Sequence, residues 1–241
     1  MTRTIAYITD IHLDEAYLTE IGVNPKNNWK RILDDIQARG IGSIIFGGDI
    51  GEPAANAWFF DSLKTYELDI TLGNHDTFME VSRHFKKKEW QYQTAGYYTN
   101  EDAHWKYVFL DSSTNAISLI QQSWLAQELT TEKPLLVFIH HPIFPVDTPV
   151  DRAYPLQERE QLQQLLQKRT SPTTIFCGHY HLLDEQHKGM IRQYITPAAS
   201  YQMVKEAAAI QTDNSTFGYR IISVAKDKVS SEVITFNKEV E

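Results

Sequence analysis

Leu68-Asp69-Ile70-Thr71-Leu72-Gly73-Asn74-His75-Asp76 is an apolar run that ends in an amide, an imidazole and a carboxylate set side by side. The run has the length of a buried strand, and polar groups at the end of such a strand need partners. Four other apolar runs end the same way. Ile5 to Thr9 leads into Asp10-Ile11-His12, and Ser43 to Phe46 into Gly47-Gly48-Asp49. Leu135 to Ile139 leads into His140-His141-Pro142, and Thr173 to Phe176 into Cys177-Gly178-His179-Tyr180-His181. Each ending offers residues that bind metals.

Helical patterns separate the first three runs. Asn24 is a helix cap with proline at the first helical position, Trp29, Ile32, Leu33 and Ile36 recur at helical spacing, and Gly40 closes the segment. Ala54 to Leu63 reads as a second helix. Strand, helix, strand, helix, strand implies parallel strands joined by right-handed crossovers. Thr77 to Lys88 is expected to be helical, with Lys86-Lys87-Lys88 as a solvated end. Trp105 to Leu110 is a further strand running into Asp111, which reads as structural. Leu119 to Leu129 and Leu156 to Arg169 are expected helices. The loop from Ile143 to Pro155, with three prolines, has the length of a substrate-facing lid and suits a dimer contact equally. Ile191 to Thr196, Ala207 to Gln211, Phe217 to Val224 and Glu232 to Phe236 read as short strands without crossover helices. They are expected to be an antiparallel addition, from about residue 186, that completes a second sheet.

With 241 residues the chain suits one large domain, 1–241. Twenty-three basic residues stand against 31 acidic ones, for a net charge of −8, which argues against a duplex nucleic-acid partner. No stretch approaches the ~20 apolar residues that span a bilayer, so no membrane association is expected. The N-terminal apolar run is too short for a signal peptide, and Cys177 has no second cysteine to pair with. A cytoplasmic protein is expected. His84, His104 and His187 read as surface residues, and the aromatics Trp90, Tyr92, Tyr97, Tyr98 and Trp105 as a core layer. Arg83, Arg152 and Arg159 have nothing in their surroundings to mark them as phosphate contacts.

In an open α/β sheet the carboxyl ends of the strands line the ligand crevice, so the five endings should converge. Asp10 and His12, and likewise His179 and His181, are two apart; in extended chain each pair projects to one side. Setting His75, Asp76 and His141 aside for other roles leaves seven candidate ligands: Asp10, His12, Asp49, Asn74, His140, His179 and His181. Seven exceed one tetrahedral site and divide into two sets sharing a carboxylate. Mixed oxygen and imidazole donors suit first-row transition ions. The glycines beside them allow sharp bends as the chain leaves the sheet. Two cations would give an acidic protein a local positive field for a small phosphoester.

Asp-x-His, Gly-Gly-Asp, Gly-Asn-His-Asp, His-His-Pro and Gly-His-x-His, in this order from residue 4 to about 204, resemble the motif set of the calcineurin-like metallophosphoesterases. Gly22-Val23-Asn24-Pro25 and Thr196 to Gln202 resemble the bacterial branch that cleaves cyclic nucleotides and glycerophosphodiesters. The resemblance implies an α/β four-layer αββα sandwich, two mixed sheets face to face with helices outside. It implies two divalent transition-metal ions, drawn from manganese, iron, zinc or cobalt. Asp10, His12, Asp49 and His181 would hold the first, and Asp49, Asn74, His140 and His179 the second. His75 would face the substrate, oriented by Asp76, with His141 either a support behind the ligands or a further substrate contact. Leu72 stands where relatives often have proline. The implied activity is phosphodiester hydrolysis; a phosphomonoesterase or nucleotidase on the same core is the alternative, and a non-catalytic scaffold would have lost ligands that are all present here. Oligomeric state is not legible.

Overall fold

The computed structural model describes residues 2–90 and 93–238. The chain first lays down β1 (Arg3–Ile8), then α1 (Ala16–Glu20), α2 (Pro25–Ala38), β2 (Ser43–Phe46), α3 (Asn56–Ser62) and β3 (Glu67–Ile70). β1, β2 and β3 are neighbours and parallel, as the strand and helix alternation requires. The Asn24 side chain accepts from the backbone N–H of Asn27 at 3.1 Å, capping α2 for about 1 kcal/mol. The apolar face of α2 buries Trp29, Ile32 and Ile36, with Trp29 against Phe46 of β2 and Phe59 of α3.

After α4 (Phe78–Val81) come β4 (Tyr98–Glu101), β5 (Lys106–Phe109), α5 (Leu119–Glu128), β6 (Leu135–Phe138), α6 (Pro149–Ala153), α7 (Arg159–Gln167), β7 (Thr173–Cys177), β8 (Asp184–Lys188) and β9 (Ile191–Ile195). They form a second sheet of order β4-β5-β6-β7-β9-β8. Tyr98, Phe109, Phe138, Phe176 and Tyr194, one from each of five neighbouring strands, are directly paired in register. Their rings stack in a row with centroids 4.4 to 5.6 Å apart. The ring of Tyr7 in β1 meets this row, 5.7 Å from Phe138 and 6.1 Å from Phe176. The row is therefore the inner face of the second sheet. The alternate residues Val108, Val137 and Ile175 turn outward and pack with Leu125 of α5 and Leu162 and Leu166 of α7. Helices, sheet, sheet, helices is the four-layer order expected. Each buried ring contributes roughly 1.5–3 kcal/mol of apolar burial.

The last strands go elsewhere than expected. β10 (Gln202–Met203) and β11 (Thr212–Asp213) form a two-stranded hairpin, whereas β12 (Thr216–Val224) and β13 (Val229–Asn237) join the first sheet, β12 antiparallel to β1. Only β8 and β9 complete the second sheet, and β9 runs parallel to β7. Residues 207–211 form no strand; Val204 N–H bonds to the carbonyl of Gln211 across the hairpin turn instead. The expected helix over 77–88 stops at Val81, and beyond it Lys87 is drawn inward to Asp69 and the face of the Tyr98 ring, 4.6 Å away. Lys87 is thus not part of a solvated run.

The segment 143–155 is packed rather than a loose lid. Ile143, Phe144, Val146 and Val150 are buried, and the backbone N–H groups of Ile143 and Phe144 both donate to Oε1 of Gln193. Trp90, Tyr98 and Trp105 are core residues, as expected, while Tyr92 lies outside the described residues. His84, His104 and His187 are exposed. Arg83, Arg152 and Arg159 pair with Glu80, Asp147 and Asp151. Asp111 accepts from the backbone N–H groups of Gly96 and Ser113, a structural role.

Candidate metal centre

Five parallel strands end at one edge of the molecule, three from the first sheet and two from the second. β1 delivers Asp10 and His12, β2 Asp49, β3 Asn74 and His75, β6 His140 and His141, and β7 His179 and His181. The crevice lies between two sheets rather than along one. Asp10, His12, Asp49, His179 and His181 all take left-handed backbone conformations, with φ of 58°, 52°, 61°, 69° and 49°. Such a conformation costs a non-glycine residue of order 1–3 kcal/mol and persists only where the surroundings enforce it. It also replaces the extended-chain geometry expected for the paired residues. Asp10 and His12 still face one group, but His179 and His181 separate into two.

Among the described residues, three sets of ligand-type atoms lie within 4.8 Å of one another: Asp10, His12 and His181; Asp49, His140 and His179; and His12, Glu15 and His75. In the first set, Nε2 of His12 and Nε2 of His181 are 3.0 Å apart, and Oδ1 of Asp10 is 3.3 Å from the latter. Oδ2 of Asp49 is 3.2 Å from Nε2 of His140 and 3.6 Å from Nε2 of His12, so it faces both of the first two sets. Oδ1 of Asp49 accepts from the backbone N–H of His75 at 2.9 Å.

The far nitrogen of each histidine in those two sets is held by an oxygen. His140 Nδ1 meets the carbonyl of Gly47 at 2.8 Å, His181 Nδ1 that of Tyr201 at 3.1 Å, His179 Nε2 that of Tyr154 at 3.0 Å, and His12 Nδ1 the carboxylate of Glu15 at 2.9 Å. Carbonyls and carboxylates only accept, so each pinned nitrogen carries the proton and the other presents a lone pair to the crevice. Nε2 of His140 and Oδ1 of Asn74 are buried without a hydrogen-bond partner. Donors and acceptors of this kind, converging and unpaired, fit divalent cations.

Close backbone approach explains two of the glycines better than bending does. Neither Gly73 nor Gly178 has a positive φ. A β-carbon at Gly73 would collide with the carboxylate of Asp49, and one at Gly178 with Asp10 and Thr9.

Asp76 has a different role from the one expected. Its carboxylate accepts from the backbone N–H groups of Asp49, Ile50 and Gly73 at 2.8, 3.0 and 2.9 Å, clasping two of the strand-end loops together. Burial, then the neighbouring Asp49, pushes its pKa up to about 6 against those three donors. His75 instead lies 2.9 Å, through Nδ1, from Oε1 of Glu15. That contact raises the His75 pKa to about 9, burial opposing it. Of the two roles expected for His141, the structure favours support behind the ligands over substrate contact. It is fully buried, and Nδ1 and Nε2 are taken by Ser112 Oγ at 2.9 Å and Asn115 Oδ1 at 3.0 Å. No nitrogen is left for substrate or metal. Burial and the neighbours His179 and His140 hold it well below the usual histidine range, and its ring packs 4.0 Å from that of His179.

Residues 3–183 match the family model described as calcineurin-like phosphoesterase. The chain belongs to that family. The family is one of metal-dependent phosphoesterases, and the chain is a phosphoesterase. It is 26% identical to a probable cyclic nucleotide phosphodiesterase of Pseudoalteromonas sp. (strain SM9913), over 97% of this chain and 94% of the relative. It is 29% identical to a probable glycerophosphodiester phosphodiesterase of Arcobacter nitrofigilis, over 57% of this chain and 56% of the relative. The crystal structure of a dimetal phosphatase from Danio rerio shares the fold, with a TM-score of 0.63 at 14% identity over 98% of this chain and 99% of that one.

In the phosphoesterase, the residues that hold the candidate ligands are not marked in the sequence. Tyr154, Tyr201 and Gly47 act through backbone carbonyls, which any residue type supplies, so no side-chain signal marks them. Glu15 is visible as an acid three residues beyond His12, but its second partner, His75, is sixty residues away. No helix among the described residues is long and apolar enough to cross a membrane.

Proposed function

We propose that this phosphoesterase hydrolyses a small phosphodiester, with a cyclic nucleotide favoured, at a centre of two divalent transition-metal ions. Asp10, His12 and His181 would hold one ion, Asn74, His140 and His179 the other, and Asp49 would be shared. The observation that carries this is the placing of Asp49 Oδ2 3.6 Å from Nε2 of His12 and 3.2 Å from Nε2 of His140, while Oδ1 of Asn74, in the loop after β3, is also buried without a partner. Divalent cations held there would supply positive charge for the phosphoryl oxygens and acidify a water. The water oxygen adds to phosphorus in line as the ester P–O bond breaks, and the bond's electron pair stays on the leaving oxygen. His75 faces that oxygen and donates a proton to it, while the attacking water's proton passes to solvent.

A cyclic nucleotide is favoured because the relative named for that activity aligns along nearly the whole chain, whereas the one named for glycerophosphodiesters aligns over 57% of it. Cys177, buried and free, supports a cytoplasmic setting. The test is a panel of 3′,5′-cyclic AMP, glycerophosphocholine and p-nitrophenyl phosphate with manganese-loaded protein. The reading expects the cyclic diester to give the largest kcat/KM. A monoester preference of tenfold or more, about 1.4 kcal/mol of transition-state discrimination, would replace it with a phosphomonoesterase.

A further inference from the structure

Glu15 occupies a place that the motif set does not describe. It stands at the junction between the loop after β1 and the first residue of α1, and that junction is rigid. Leu13 is tied into the neighbouring loop by its N–H to the carbonyl of Ile50 at 2.7 Å and by the N–H of Glu52 to its own carbonyl at 2.9 Å. Asp14 then turns the chain through a left-handed conformation, φ 61°. The turn aims the Glu15 side chain back at the crevice, where it is largely buried.

We propose that Glu15 is a positioning residue that sets His12 and His75 at once, through a single carboxylate oxygen. Oε1 lies 2.9 Å from Nδ1 of His12 and 2.9 Å from Nδ1 of His75. The two rings meet edge to face with centroids 4.7 Å apart. A carboxylate oxygen only accepts, so both Nδ1 atoms carry protons. His12 is thereby fixed in the tautomer whose Nε2 lone pair faces Asp10 and His181. His75 is fixed with Nε2 directed away from Glu15, free for a substrate oxygen. Asp76 does not do this: its carboxylate is engaged with three backbone N–H groups, and Nδ1 of His75 meets Glu15 instead. The inference deepens the phosphodiesterase reading and rests on it for what His75 faces. A histidine held by a carboxylate at one nitrogen and acting through the other is the arrangement that makes general acids and bases effective.

The consequence is selective. Loss of Glu15 frees the His75 ring, which half faces solvent, while His12 keeps its packing between His181 and Tyr201. The loss should fall most on substrates whose leaving oxygen needs a proton. Glu15→Ala and Glu15→Gln are compared with wild type on 3′,5′-cyclic AMP, whose leaving group is an alkoxide, and on bis(p-nitrophenyl) phosphate, whose leaving group needs none. Glu15→Ala is expected to lose about 10- to 100-fold in kcat on the cyclic diester, the range seen when such a supporting partner is removed. The loss on the nitrophenyl ester should be about threefold or less, with KM nearly unchanged, and Glu15→Gln, which keeps one oxygen acceptor, should fall between.

Long-range 1H–15N imidazole spectra of the metal-free protein, assigned with His75→Asn, read the placement independently of activity. Wild type should show Nδ1–H on His12 and His75, and Glu15→Ala should lose that signature on His75 while the exposed His84, His104 and His187 are unmoved. Equal losses on the two substrates, or an unchanged His75 Nδ1–H resonance in Glu15→Ala, would overturn the proposal. A wild type that cleaves neither diester would instead refute the diesterase reading, and the spectra would still decide where Glu15 holds His75.

Discussion

The backbone carbonyl of Tyr154 lies 3.0 Å from Nε2 of His179, so the proline-bearing segment between β6 and α7 holds a candidate ligand in place. That segment is itself anchored by Asp151, a buried carboxylate of α6. Asp151 takes Arg159 through both its oxygens, at 2.5 and 3.2 Å, and the hydroxyl of Tyr180, next to His179, at 2.5 Å. Asp151→Ala removes the counter-charge of a mostly buried arginine and the brace of Tyr154 together. It is expected to cost about 3 kcal/mol by urea unfolding, and to weaken metal retention on dialysis by about tenfold. Full stability with full metal content would show that the brace is idle.

His140 and His141 are adjacent in sequence but have different surroundings. His140 ends in a bare nitrogen beside Asp49, whereas both nitrogens of His141 are already bonded. His140→Ala should therefore lose one ion per chain by elemental analysis. His141→Gln should keep both ions and lose mainly stability, about 1–3 kcal/mol for the buried Ser112 and Asn115 partners left imperfectly met.

Gly73→Ala tests close approach against flexibility. Its β-carbon would press on Asp49. Metal content should fall sharply, with a Tm decrease of about 4 °C or more, the scale of a destabilisation of 1–2 kcal/mol or above in a chain of this size. Gly40→Ala, where a β-carbon meets nothing but the φ is +67°, should lose about 1 kcal/mol and no metal.

Asp35 gives a pH signature far from the crevice. Burial raises its pKa, but Arg39 at 2.7 Å and the Tyr219 hydroxyl at 2.6 Å outweigh it and leave the carboxyl below its ordinary value. A group depressed in the folded state stabilises above the unfolded pKa, ~3.9 for aspartate, and loses that contribution as pH falls through the folded value. Asp35→Asn should thus be less stable than wild type at pH 7, by about 0.5 kcal/mol for a solvent-screened pair. The two curves should converge in acid. A difference that persists below pH 2–3 would assign the effect to packing.

The strand endings were legible because each sets a hydrophobic run against a polar tip, a pattern visible within ten residues. Parallel β1, β2 and β3 followed from the intervening helices. The destination of β12 and β13 did not, because nothing local tells a strand which of two sheets has a free edge; β1 offered one, and its partners lie some 220 residues away at Arg3↔Val224. The helix after Thr77 was overestimated because Lys87 reads as a charge on a solvated face, while its partner Asp69 sits on another element. Asp76 beside His75 suggested a pair. Yet neighbours in a tight loop point apart, and Asp76 turned under the loop to backbone N–H groups that no sequence pattern advertises. The candidate ligands show in the residue types; what pins each of them lies mostly in backbone carbonyls.

If Asp49 is shared by two cations, its loss should empty both sites. Elemental analysis of manganese-reconstituted wild type and Asp49→Asn, with circular dichroism to verify folding, addresses it directly. About two ions per chain in wild type and close to none in folded Asp49→Asn is the expected result, since a bridging carboxylate serves both sites. One ion per wild-type chain, or a variant that keeps both, would contradict it.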